Sequence, residues 1–122
     1  YFVIDTLEPL RKNGRLTGLQ AFFATALNIK PVMGATDQGV ITQLGQARGM
    51  QKALRLMAET IAAELEHPEE KVLGLVHCNN PERAEYVKQE LMKLVKVKDI
   101  IVLESSGVST LYASQGGIII AV

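Results

Sequence analysis

An α/β layered domain, in which helices pack a mixed sheet, is the fold class this sequence predicts, and three observations carry that prediction. Short apolar runs alternate with periodic segments of roughly 15 residues, the pattern of strands joined by helices. The 122 residues are 48% hydrophobic, which suffices for one buried core and not for two. The lone cysteine, Cys78, excludes an internal disulfide, and two histidines argue against a dedicated zinc site.

Tyr1, Phe2, Val3 and Ile4 read as a strand under way with no lead-in, which predicts a segment of a longer protein. Asp5-Thr6 can cap a short helix that tolerates Pro9 in its first turn, carries Arg11 and Lys12 at its carboxyl end and stops at Asn13-Gly14. Thr17 opens a second helix in which Leu19, Phe22, Phe23, Ala26 and Leu27 recur on one apolar face, closed by Asn28. Residues 29–33 form a short strand whose Pro31 belongs at an edge or a strand end. Turn chemistry at Asp37-Gln38-Gly39 leads into residues 40–44, predicting a hairpin.

The clearest helix covers 49–66, with Met50, Ala53, Leu54, Met57, Ile61 and Leu65 in one stripe and His67-Pro68 at its end. A largely apolar strand follows at 71–77. Asn79-Asn80-Pro81-Glu82 is then a cap with proline at the first helical position, opening a helix whose face is Ala84, Val87, Leu91, Leu94 and Val95. Residues 99–104 are a strand, 105–115 a polar connection, and 116–122 a terminal strand. Strands 40–44, 71–77 and 99–104 flank the two long helices and are expected to be sheet neighbours.

Thirteen basic and thirteen acidic side chains cancel, so no global field gathers nucleic acid or an anionic membrane surface. The longest apolar run, 117–122, is far shorter than the roughly 20 residues of a membrane-spanning helix. No signal peptide is visible, and a reducing, cytoplasmic setting follows from the cysteine usage.

Candidate chemistry is local. Arg15, after Asn13-Gly14, and Arg48, before the long helix, are placed to grip an anion beside free helix amides, or else are solvated arginines at element ends. Gln46-Ala47-Arg48-Gly49 lacks the spacing of a phosphate loop, which disfavours nucleotide binding. His77 and Cys78 end a buried-looking strand but point to opposite faces, so they do not readily share a proton, and a core or supporting role fits them better than nucleophilic chemistry. His67 belongs on an exposed loop. Ser105, Ser106, Ser109, Thr110 and Ser114 offer hydroxyls to a carboxylate or phosphate, or tighten turns. Phe22, Phe23 and Leu27 line either a filled core or an apolar tunnel.

Several of these segments together resemble the DegV family. Phe2-Val3-Ile4-Asp5-Thr6-Leu7-Glu8 with Leu10-Arg11-Lys12-Asn13-Gly14-Arg15 resembles the opening of that family's second lobe. Asn28-Ile29-Lys30-Pro31 matches its "NIKP" run, and Arg48-Gly49 with Lys52-Ala53-Leu54 resembles its "RxxKKAL" helix start. His77, Asn79-Asn80-Pro81-Glu82 and Ala84-Glu85 follow its next strand-to-helix turn.

The resemblance implies that residues 1–122 are the carboxy-terminal lobe of a two-lobe protein whose amino-terminal lobe is missing from this chain. It also implies that a long-chain fatty acid lies buried between and within the lobes. Its partner would be a fatty acid kinase resembling dihydroxyacetone kinase, which supplies nucleotide and metal, so no cofactor and no catalytic residue are expected here. On this resemblance Phe22, Phe23, Leu27, Ile29, His77, Ser109, Thr110, Tyr112 and Ser114 contact the lipid, while Arg15 and Arg48 meet the partner or its phosphate.

The chain departs from the family at Leu111-Tyr112-Ala113-Ser114-Gln115-Gly116-Gly117, where the pattern runs close to "GTHxGPG" and Ala113 stands in place of a ligand-facing histidine. A family member that has lost its lipid and serves as a regulatory module is therefore one alternative. A small-molecule phosphotransferase is another, although the base and the metal or nucleotide grip it needs are not evident.

Overall fold

The structure, a computed structural model, describes residues 1–5, 28–106 and 116–122. Its strands are β1 (Phe2–Val3), β2 (Ile29–Ala35), β3 (Ile41–Arg48), β4 (Val72–His77), β5 (Asp99–Glu104) and β6 (Ile118–Ala121). The described helices are α1 (Met50–Glu64) and α2 (Pro81–Leu94), with a 3₁₀ turn at Pro68–Glu70. The sheet runs β3-β2-β1-β6-β4-β5, parallel only between β4 and β5 and antiparallel elsewhere. This is the predicted mixed α/β layer. The two helices expected upstream of residue 28 fall outside the described residues.

Burial at three- and four-residue intervals makes α1. Ala53, Leu54, Met57, Ala58 and Ile61 face the sheet, and Leu65 turns extended while its N–H still reaches the Ile61 carbonyl at 2.9 Å. The helix ends two residues before the sequence suggested because Pro68 disfavours helical backbone at His67, which goes left-handed at φ 50°. In α2 the Asn80 side chain accepts from the Arg83 N–H at 3.0 Å, and Pro81 sits where no intrahelical N–H is required. Leu94, read as part of the buried face, is 47% exposed, and Val95 is already extended beyond the helix.

Both helices pack side by side on one face of the sheet, α1 over β1 to β3 and α2 over β4 and β5. Val3, Val32, Leu73, Leu75, Ile100, Ile118 and Ile120 meet them there in one core.

The hairpin of β2 and β3 is as expected but longer at both strands. The expected neighbourhood of 40–44 with 71–77 is not: β2, β1 and β6 separate β3 from β4. The strands nearest the two ends of the chain take the centre because they are short and almost wholly apolar, and such strands need cover on both sides. Pro31 likewise lies in a strand with neighbours on both sides. It is tolerated there because β1 pairs with β2 only at Phe2–Met33, which leaves Pro31 beyond that ladder.

Candidate ligand-binding end of the sheet

The carboxyl ends of β1, β3, β4 and β5 and the amino ends of β2, β6, α1 and α2 all meet at one end of the molecule. In α/β folds this end collects ligands, because helix amides and connecting loops converge there. Short backbone bonds lace it together. Ser105 donates to the His77 carbonyl at 2.7 Å, Cys78 to Gly117 at 3.0 Å, Gly116 to Cys78 at 2.7 Å, and Gly49 to Asn28 at 2.7 Å.

His77 ends β4 on the helix-covered face, 8% exposed. Its Nδ1 accepts from the Asn80 N–H at 3.1 Å, which pins the loop into α2 and places the proton of the neutral ring on Nε2. Nε2 has no hydrogen-bond partner among the described residues. Cys78, the next residue, is buried and engaged through its backbone.

Arg83 anchors a clasp that sequence reading did not single out. Its Nη1 donates to the Gly116 carbonyl at 2.5 Å and to Asp5 Oδ2 at 3.3 Å. Lys30 Nζ reaches the Asp5 carbonyl at 3.1 Å and its Oδ1 at 3.9 Å. The helix that Asp5-Thr6 is expected to cap lies outside the described residues, and the Asp5 contacts that the structure describes join β1, β2, α2 and the start of β6. One signal was available. A cation in the first turn of a helix opposes the macrodipole, so Arg83 needed a partner elsewhere. Gly116, at φ 85°, is required here because a Cβ would lie 2.6 Å from Arg83 Nη1.

Arg48 is exposed at the last position of β3, paired in register with Ile29, which is half-buried at the first position of β2. Gly49 follows at φ 87°, and α1 begins without a side-chain cap or an acid in its first turn. Arg48, Lys30 and Arg83 stand at this end with the acids Asp5, Glu82 and Glu104, and Asp5 pairs with both Lys30 and Arg83. Among the predicted site residues, the structure brings Ile29, Arg48 and His77 to the same end. Arg15, Phe22, Phe23, Leu27, Ser109, Thr110, Tyr112 and Ser114 lie outside the described residues, as does Ala113. The residues that flank those two segments, Asp5 and Asn28, Ser106 and Gly116, all stand at this end.

The sheet face turned away from the helices is also apolar. Met33, Phe2, Ile119, Val76 and Leu103 are successive register partners across β2, β1, β6, β4 and β5, so they form one transverse row. At normal strand spacing the row is about 19 Å long. Burial is graded along it, from Met33 at 0% exposed to Leu103 at 57%. Among the described residues no three His, Cys, Asp or Glu side chains group as metal ligands, and no helix is long and apolar enough to cross a membrane.

Fold and site together define an α/β layered domain with a polar, charged end and a second apolar face. The chain belongs to the DegV family: the family model described as "uncharacterised protein, DegV family" matches residues 1–122. It is similar to a DegV-family protein of Ruminococcus gnavus whose crystal structure was refined with vaccenic acid. That match has 50% identity and a TM-score of 0.94, and covers 99% of this chain and 43% of that one. The fatty acid kinase B3 protein of Streptococcus pneumoniae, loaded with linoleic acid, matches at 26% identity and a TM-score of 0.82, over 98% of this chain and 42% of that one. A DegV domain-containing protein of Streptococcus pyogenes is 32% identical over 97% of this chain and 41% of its own length. The chain thus spans well under half the length of these relatives.

Proposed function

We propose that this chain is the carboxy-terminal lobe of a two-lobe carrier that buries a long-chain fatty acid and presents its carboxylate to a partner kinase. The observation that carries the reading is the half-identical relative holding vaccenic acid, a monounsaturated long-chain acid. A relative named as a fatty acid kinase B protein supports the kinase partner. The row from Met33 to Leu103 gives the acyl chain an apolar floor on the scale of its extended length. Burying that chain gains roughly 0.8 kcal/mol per methylene, so hydrocarbon burial supplies affinity and the polar end supplies orientation.

In this reading the apolar face predicted for Phe22, Phe23 and Leu27 covers the lipid, with Ile29 beneath it. Ser109, Thr110, Tyr112, Ser114 and the Nε2–H of His77 surround its polar end. Arg48 and Arg15 face the kinase, where their charge favours the phosphate being transferred. The chain itself works as a carrier in the cytoplasm and not as a catalyst, while the kinase brings nucleotide and metal. A second reading, a family member that has lost its lipid, rests on Ala113 standing where the family pattern has a histidine.

Native mass spectrometry of the intact two-lobe protein purified from bacteria separates the two. A co-purified mass in the range of long-chain fatty acids supports the carrier, and no saturable uptake of added oleate or palmitate leaves the second reading. Arg48→Ala is expected to retain the lipid while slowing acyl phosphate formation by the kinase at least tenfold, a loss of about 1.4 kcal/mol of transition-state stabilisation. Loss of lipid with normal transfer per bound lipid would overturn the assignment of Arg48.

A further inference from the structure

The two edges of the sheet are guarded differently. β3 carries Thr42, Gln43, Gln46 and Arg48, and its register with β2 is broken between Val32 and Met33, features that discourage strand addition. At the opposite edge, β5 pairs in unbroken register with β4 on one side and has no strand on the other among the described residues. Its centre, Ile100-Ile101-Val102-Leu103, contains no charge, proline or glycine, and Ile101, Val102 and Leu103 are 47%, 38% and 57% exposed. An edge of this composition is a template for another strand.

We propose that β5 pairs antiparallel with β5 of a second copy of this chain, across a twofold axis perpendicular to the sheet at Ile101. Directly opposite residues of an antiparallel pair share a face, so the two positions must be of equal parity for the copies' helix layers to stay on the same side. The register centred on Ile101 satisfies this and sets Ile100 against Val102. It also sets Lys98 against Glu104 of the partner subunit, twice over. Both side chains are exposed, and neither has an ion pair among the described residues. The odd register between Ile101 and Val102 would instead oppose Asp99 to Glu104, a like-charge contact.

A second observation agrees with that register. A groove of about 450 Å³ runs between the carboxyl half of α2 and the start of β5, lined by the apolar Met92, Val95, Val97 and Ile100, by Lys88, Lys96 and Lys98, and by Asp99. Its Asp99 and Ile100 lie on the pairing strand and Lys98 directly precedes it, so in this register the groove's Lys98 would meet Glu104 of the partner subunit while its Asp99 would lie opposite the partner subunit's Leu103. The pairing extends the sheet from one copy into the next and buries the exposed apolar centre of β5. Because the two strands run antiparallel, the ligand ends of the two copies face opposite directions and both remain open.

Sedimentation velocity over a range of concentrations tests the pairing. Wild type is expected to show a monomer–dimer equilibrium. Lys98→Glu or Glu104→Lys alone should weaken dimerisation about tenfold, since each reversal acts at two symmetric cross-strand pairs. The double reversal should restore it, which a folding defect could not do. Ile101→Lys, placing two ammonium groups at the axis, should abolish the dimer while leaving the far-ultraviolet circular dichroism spectrum of the folded chain unchanged. A monomer at all concentrations, or charge reversals without effect, overturns the proposal. So does a monomeric two-lobe protein, because the edge is then covered by the rest of that polypeptide.

Discussion

The face of the sheet under α1 and α2 and the face turned away from them are built from alternate residues of the same strands, yet they close differently. Leu73, Leu75, Ile118 and Ile120 are fully or almost fully buried against helix residues within the described chain. On the other side, the row from Met33 to Leu103 is as apolar but passes from complete burial to more than half exposure. Where apolar surface meets its partner inside the domain, burial serves stability. Where equal hydrophobicity is left partly open, it is available to a ligand or another chain.

Leu75→Ala should have the largest effect on that comparison. It removes a fully buried side chain from the closed face and is expected to cost about 2–5 kcal/mol of unfolding free energy, read from denaturant midpoints. A loss below 1 kcal/mol would mean that the helix-covered face is not the core. Val76→Thr tests the other face with nearly constant shape. The added hydroxyl should lower fatty-acid affinity of the two-lobe protein roughly tenfold, while shifting stability by only about 1 kcal/mol. If stability falls and affinity does not, the row is ordinary core.

The smallest effect belongs to the far end of the sheet, where the Tyr1 hydroxyl donates to Glu64 Oε2. Burial first, and then the bond and charge of Glu64, push the Tyr1 phenol up to about 12. The folded state therefore favours the protonated phenol. Its stabilisation is complete below the ordinary tyrosine value near 10 and is lost as pH rises from about 10 to 12. Tyr1→Phe should remove that pH dependence, visible as a flatter difference in denaturation midpoint across this window. An identical slope in both proteins would exclude the pair as its source.

Local features of the fold were legible because short-range chemistry fixes them. The stripe of α1, the Asn80–Pro81 start of α2 and the β2–β3 turn each depend on residues within a few positions of one another. Pairings between residues distant in sequence were not legible in this way. Strand alternation suggested that β3 and β4 are neighbours, but β1 and β6 lie between them, and no local pattern records a pairing such as Phe2 with Ile119. The same holds at the site. Arg48 and His77 stood out by context, whereas the Asp5–Arg83–Gly116 clasp unites residues from three regions of the chain.

By itself the sequence determined the family, the helix faces and the order of strands along the chain, since these reside in motif spacing and in hydrophobic periods of 2.0 and 3.6. Only the tertiary structure decided which strands are central, which apolar face remains partly open and which charges converge on Gly116. Those are outcomes of competition among all strands for burial. A residue's share of that burial depends on contacts made across most of the chain.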